Sequence, residues 1–197
     1  SKISICVIGV GNWGLNHVKT LLKLNISVGC VDTEPKNLSK AQSLFPEISC
    51  FSSTKESFNK DYNGYVIATP AATHSELAKL IISNKKPVLV EKPLSLSVDE
   101  SKEIKSYLTK YNGKLMVGHL LLFHPAIMKI KSMIEMGMIG KIQYMYSNRL
   151  NLGTVRKEEN VLWSFAPHDV SIFQFLSKSF PEQVHSNGIS FLQKNIH

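Results

Sequence analysis

Gly9-Val10-Gly11-Asn12-Trp13-Gly14 is the feature that most restricts what this chain can fold into. The G-x-G-x-x-G pattern takes its force from context. The apolar run Ile3–Ile8 reads as a strand and Asn12–Leu24 as a helix, so the glycines join strand to helix. In that setting Gly9 permits the tight turn, Gly11 leaves the backbone open to a pyrophosphate, and Gly14 lets the helix pack close on the strand. The helix start adds N–H groups and a partial positive charge for the phosphates. A glycine-rich strand–helix turn with no ligand is the alternative. Asp32 separates the two readings. It ends the next strand candidate, Ser27–Val31, and lies 18 residues past Gly14, where an acid reaches the ribose hydroxyls of a dinucleotide. A carboxylate there repels a 2′-phosphate, so the expected cofactor is NAD rather than NADP, with Lys36 leaving some tolerance for NADP.

The rhythm continues through the first 120 residues. Further strand candidates are Gly64–Ala68, Val88–Glu91 and Leu115–Gly118, separated by helical patterns. Ser53 with Glu56, Thr73 with Glu76 and Ser97 with Glu100 each fit a capping box. Strands alternating with helices predict parallel βαβ units, hence an α/β fold with a doubly wound parallel sheet over residues 1–121. Past Gly118 the pattern changes. His124-Pro125 opens a helix running to about Met136, closed by Gly137 and Gly140. Lys141–Leu152 alternates in part and predicts a long strand. A polar loop follows, Gly153–Asn160, then a helix entered through Pro167 and a last strand over Gln183–Leu192. Residues 122–197 therefore read as an incomplete second α/β domain. A second sheet ending in an uncovered edge would be costly unless paired or covered, so self-association into a homo-oligomer, or a C-terminal continuation of the chain, is expected.

Charge excludes one class of partner. The net charge is +8, but only Arg149 and Arg156 among the 23 basic residues are arginines, the lysines are scattered, and no nucleic-acid motif is present. A mildly basic chain suits an anionic small molecule instead. No apolar run approaches the ~18 residues of a membrane span, so no membrane association is expected. Cys6, Cys30 and Cys50 are odd in number and match no metal spacing; they read as free thiols of a cytoplasmic protein, with no metal site.

Ligands of open α/β sheets sit outside the carboxyl ends of the strands. Two loops there carry chemistry: Ala68-Thr69-Pro70 with His74, and Glu91-Lys92-Pro93. Together with Gly9–Gly14, Val117-Gly118-His119, the segment Met136–Ile142 and Pro167-His168-Asp169, they occur in an order that resembles the glucose–fructose oxidoreductase, inositol dehydrogenase and rhizopine-catabolism (Gfo/Idh/MocA) oxidoreductases. The resemblance implies an N-terminal Rossmann domain and a C-terminal α/β domain with an open sheet. It also implies that Lys92 is the active-site lysine and His168 the active-site histidine. Gly9, Gly11, Asn12, Trp13, Gly14, Asp32, Thr69, Pro70, His74, Glu91 and Lys92 are the expected cofactor contacts. The family often has an Asp four residues before that histidine, where this chain has Ser164. Only 29 residues follow His168, so the expectation is a C-terminal domain shorter than the family's.

Oxidising a secondary alcohol needs a hydride acceptor and a base for the hydroxyl proton. Histidine, with an ordinary pKa of about 6.5, suits the base. An ammonium at Lys92 suits polarising the substrate oxygen. Arg149, Asn151, Arg156 and Trp163 precede His168 and are candidate contacts for an anionic sugar, with surface solvation and a core tryptophan as the equal alternative. His119 and His124 read as structural. The leading function is an NAD-dependent dehydrogenase of a sugar or sugar nucleotide. The competing one is a dinucleotide-binding protein without turnover, a sensor or degenerate paralogue, which Ser164 and the short second domain favour.

Overall fold

The computed structural model describes residues 2–150 and 160–189. The chain divides into two compact units, Ser1–Gly118 and His119–His197. The first is built on β1 (Ser4–Ile8), β2 (Ser27–Val31), β3 (Ser49–Phe51), β4 (Gly64–Ile67), β5 (Val88–Val90) and β6 (Leu115–Val117). They form one parallel sheet in the order β3-β2-β1-β4-β5-β6. Its helices are α1 (Asn12–Lys23), α2 (Pro35–Leu44), the short α3 (Thr54–Ser57), α4 (His74–Ser83) and α5 (Val98–Tyr111).

Helices cover both faces of the sheet, which is why the central strands are apolar almost throughout instead of alternating. Successive side chains of β1 separate into two cores. Cys6 and Ile8 join Ile67, Ile81, Ile82 and Ile104 in the core under α4 and α5. Val7 joins Val18, Cys30, Ala41 and Val66 in the core under α1 and α2. Ile67, Ile81 and Ile82 are fully buried, and each such side chain contributes about 1.5–3 kcal/mol. The three cysteines are free thiols. Burial pushes Cys6 up to about 12 and raises Cys30 further, so both stay protonated packing groups.

Local signals explain most boundaries. Ser53 accepts from the Glu56 N–H and Ser97 from the Glu100 N–H, as in a capping box. The returning carboxylates reach one residue further back, to the N–H groups of Ser52 and Leu96. Thr73 does not cap. A 3₁₀ turn over Ala71–Thr73 holds it in helical conformation, and its hydroxyl donates to the Pro70 carbonyl (2.8 Å). β3 was not foreseen, because three residues at a sheet edge are too few to show a period.

The second unit, over its described residues, contains helices and no strand. In α6 (Pro125–Glu135) Pro125 occupies the first turn, His124 accepts from the Ala126 N–H, and Gly137 follows with φ +69°. Lys131 of α6 is buried and donates to the Phe175 carbonyl (2.6 Å) near the end of α7 (Val161–Ser177). The expected strand over Lys141–Leu152 is irregular from 142 to 150, with Tyr144 80% and Tyr146 78% exposed. The expected strand over Gln183–Leu192 is likewise irregular from 183 to 189. Alternation produces a strand only where another strand takes up its N–H and C=O groups, and none does so among the described residues. The last helix starts before Pro167, with Asn160 capping the Trp163 N–H (2.9 Å), so Pro167 lies inside it.

Gly29 gives the fold a sharp test. A Cβ there would lie 2.0 Å from the Tyr62 hydroxyl and 2.3 Å from its ring carbon. Gly29→Ala is expected to destabilise by about 1–3 kcal/mol, read as a lower midpoint in urea denaturation at unchanged slope.

Candidate functional site

The ladder of the sheet runs one residue past the strand ends. Asp32 N–H bonds Phe51 C=O, Gly9 N–H bonds Val31 C=O, Ala68 N–H bonds Ile8 C=O, Glu91 N–H bonds Ile67 C=O, and Gly118 N–H bonds Val90 C=O. Asp32, Gly9, Ala68, Glu91 and Gly118 therefore stand in a row along one edge, in sheet order. The order reverses between β1 and β4, where Gly9 meets Ala68: this is the switch point at which such sheets open a crevice.

The three glycines of the loop differ in what requires them. Gly9 has φ +85°, and a Cβ on it would lie 2.8 Å from the Ala68 carbonyl oxygen. A Cβ on Gly14 would lie 1.8 Å from the Gly9 carbonyl oxygen. The fold demands both. Gly11 has an extended backbone that any residue adopts, and a Cβ on it would meet nothing within 4 Å. It caps α1 with no side chain, and the first turn of α1 carries no acid. The N–H groups at this helix start thus face open space that an anion could fill, and Asn12 and Trp13 lie on the exposed side.

Asp32 is fixed from three sides. Its carboxylate accepts from the N–H of Val10 (2.9 Å), the N–H of Glu34 (2.9 Å) and the Asn37 amide (3.1 Å). It ties the glycine loop to the end of β2 and stays partly exposed, so lone pairs remain for ribose hydroxyls. The residues present fit a dinucleotide: an open helix start for phosphates, and beside it an oriented carboxylate for a ribose.

Across the switch point Thr69 is half-buried and Pro70 exposed. The Thr69 and Thr73 hydroxyls lie 2.7 Å apart. His74 is buried, with Nδ1 2.7 Å from the Pro93 carbonyl oxygen and Nε2 2.9 Å from the Thr69 carbonyl oxygen. It joins the loops after β4 and β5, and both ring nitrogens face backbone carbonyls. Its influence on a ligand passes through those loops. Glu91, 8% exposed, accepts from its own neighbour's N–H at Lys92 (3.3 Å), from the Trp13 indole and from His17 Nε2 (2.7 Å). Burial alone would raise its pKa, but these bonds and the His17 charge outweigh burial and hold the carboxyl below its ordinary value. Its contribution to stability is therefore present above the ordinary carboxylate range and is lost as the pH falls through the lowered folded-state value. Lys92 follows, half-buried, before a cis bond to Pro93. Sequence reasoning missed His17. Its position on α1, four residues after Trp13, placed it on the same helical face and was the available signal.

In the second unit His168 lies within α7, half-buried, one turn after the buried Ser164 on the same helical face. Asp169 accepts from Arg149 Nε and from the Ser147 hydroxyl (2.8 Å), tying the 147–149 segment to α7. Arg149 is thus engaged within its own unit. Trp163 is half-buried in the first turn of α7. Asn151 and Arg156 lie outside the described residues. Among the described residues no group of His, Cys, Asp and Glu could hold a metal, and no helix is long and apolar enough to cross a membrane.

Comparison with known proteins supports the fold reading. The chain is 25% identical over 194 residues to the uncharacterized oxidoreductase YrbE of Bacillus subtilis (strain 168), covering 94% of this chain and 57% of that protein. It is 28% identical over 149 residues to scyllo-inositol 2-dehydrogenase (NAD(+)) of the same organism, covering 73% and 43%. Among solved structures, an oxidoreductase from Agrobacterium radiobacter in complex with NAD+, L-tartaric acid and magnesium superposes with a TM-score of 0.77 at 18% identity, covering 89% of this chain and 55% of that one. The chain thus spans about half the length of the proteins it matches. Residues 3–119 match the family model for the Gfo/Idh/MocA oxidoreductase family, NAD-binding Rossmann fold, and the chain belongs to that family.

Proposed function

We propose that this chain binds NAD along the carboxyl edge of its sheet and serves an oxidoreductase that exchanges a hydride with a secondary hydroxyl of a sugar or sugar nucleotide. One observation carries the reading: the fold gives no reason for Gly11 to lack a side chain, whereas a pyrophosphate seated on the start of α1 does. The scyllo-inositol 2-dehydrogenase relative supports a polyhydroxylated ring as substrate. NAD+, when bound, supplies the hydride acceptor. Gly9, Gly11, Asn12, Trp13 and Gly14 hold the pyrophosphate, and Asp32 the adenosine ribose. Thr69, Pro70, His74 and Glu91 shape the nicotinamide side. Lys92 holds the substrate oxygen and stabilises the negative charge it gains as its proton leaves. His168 accepts that proton and returns it in the reverse direction. Position 164, where the family often has an Asp, holds Ser in this chain, which favours the second reading, a dinucleotide-binding protein without turnover.

Three measurements test this. In calorimetric titrations NAD should bind more tightly than NADP, and equal or tighter NADP binding would contradict the role of Asp32. Asp32→Ala should narrow the preference. It should also cost about 1 kcal/mol of stability, because the glycine loop loses its tie at the Val10 N–H.

Gly11→Val and Gly14→Ala should separate ligand from fold. The first is expected to keep a melting temperature near wild type and lose NAD binding. The second should lower the melting temperature, since its Cβ has no room beside the Gly9 carbonyl. If Gly11→Val binds NAD normally, the pyrophosphate does not sit there.

With a panel of sugars and NAD, followed at the NADH absorbance band, Lys92→Ala should lower kcat by about 100-fold or more, far more than it weakens NAD binding. His168→Ala should remove the acidic limb of the pH–rate profile, because a protonated histidine cannot take the hydroxyl proton. NAD binding without turnover in the wild-type full-length protein would favour the non-catalytic reading.

A further inference from the structure

The Glu91 carboxylate is enclosed by three elements. Trp13 and His17 reach it from α1, the Lys92 N–H reaches it from its own strand end, and Gly118 lies against it from the end of β6. A Cβ on Gly118 would lie 3.1 Å from Glu91 Oε2, tighter than an ordinary Cβ contact, so β6 packs close against the carboxylate. A carboxylate this buried must have its lone pairs filled. The strongest donor it has is a side chain that no motif singled out, His17 at 2.7 Å.

We propose that His17 is a positioning residue: it holds Glu91 Oε1, and Glu91 Oε2 holds the Lys92 N–H, so that α1 sets where the Lys92-Pro93 segment leaves the sheet. The helix that receives the phosphates and the loop that carries the reactive lysine are then one rigid part. The inference rests on reading Lys92 as the site lysine. His17 stays 24% exposed at its side chain, and Lys92 is half-buried. His74 braces the same loop from the other side through the Pro93 carbonyl. Two histidines from two helices thus fix one three-residue motif, His17 before Lys92 and His74 after it.

The test measures acetylation of lysines in the full chain by sulfosuccinimidyl acetate, read peptide by peptide by mass spectrometry without cofactor. Lys79, only 15% exposed and paired with Glu76 and Glu103, reports general loosening. His17→Ala removes the donor and should speed Lys92 labelling by about threefold or more, with Lys79 unchanged. His17→Gln, whose amide reaches the same place, should restore the wild-type rate. If His17→Ala does not fold, His17→Asn, whose amide falls short of Glu91, takes its place with the same expectation. A smaller change at Lys92, a parallel rise at Lys79, or failure of glutamine to restore the rate would overturn the proposal. A separate titration of the wild-type chain with NAD tests the cofactor reading: absence of binding there would sink that reading and leave the labelling comparison standing.

Discussion

The packing of α1 on β1 rests on one contact that admits no side chain. Gly14 lies so close to the Gly9 carbonyl that a Cβ would overlap it, 1.8 Å from the oxygen. That approach puts the start of α1 directly over the end of β1. Two hydrogen bonds from the same loop, Gly9 N–H to Val31 and Val10 N–H to Asp32, then fasten it to the end of β2. Everything proposed for the site depends on this corner: the open helix start, the carboxylate beside it, and the row of loop residues along the edge. Both glycines concerned are structural necessities, which leaves Gly11 as the one whose smallness the fold does not use.

The site also shows a division of labour between residues that face a ligand and residues that hold them. Asp32 does both, since three donors orient the carboxylate that is left partly exposed. Glu91 and His74 are buried and spend their polar atoms on neighbouring loops and helices. Buried polar groups of this kind are costly unless every atom is paired, and when paired they specify one geometry. That is what a hydride transfer needs, because misplacing the reacting atoms by about 1 Å costs about two orders of magnitude in rate.

How far the sequence could be read follows the same physics. β1 and β2 were legible because the largely apolar runs Ile3–Ile8 and Ser27–Val31 end in glycines and an acid with fixed roles. The capping residues Ser53 and Ser97 were legible because the capping bond is local. Thr73 was not, since the preceding 3₁₀ turn decides its conformation and claims its hydroxyl. The start of α7 was misplaced because Pro167 is a common first-turn residue, and Asn160, which performs the capping, stands seven residues earlier. The alternation in Lys141–Leu152 describes what a strand would look like, not whether a partner strand exists. His17 escaped notice because its partner, Glu91, is remote in sequence, and only the fold brings the two together.

The most direct test of the account is a backbone amide map of the ¹⁵N-labelled chain during titration with NAD. The account predicts the largest shifts at the N–H groups of Val10 through Gly14 and at Asp32, with a second group at Thr69 and Glu91–Lys92. Saturable binding whose shifts leave the Gly9–Gly14 loop and Asp32 undisturbed would contradict it.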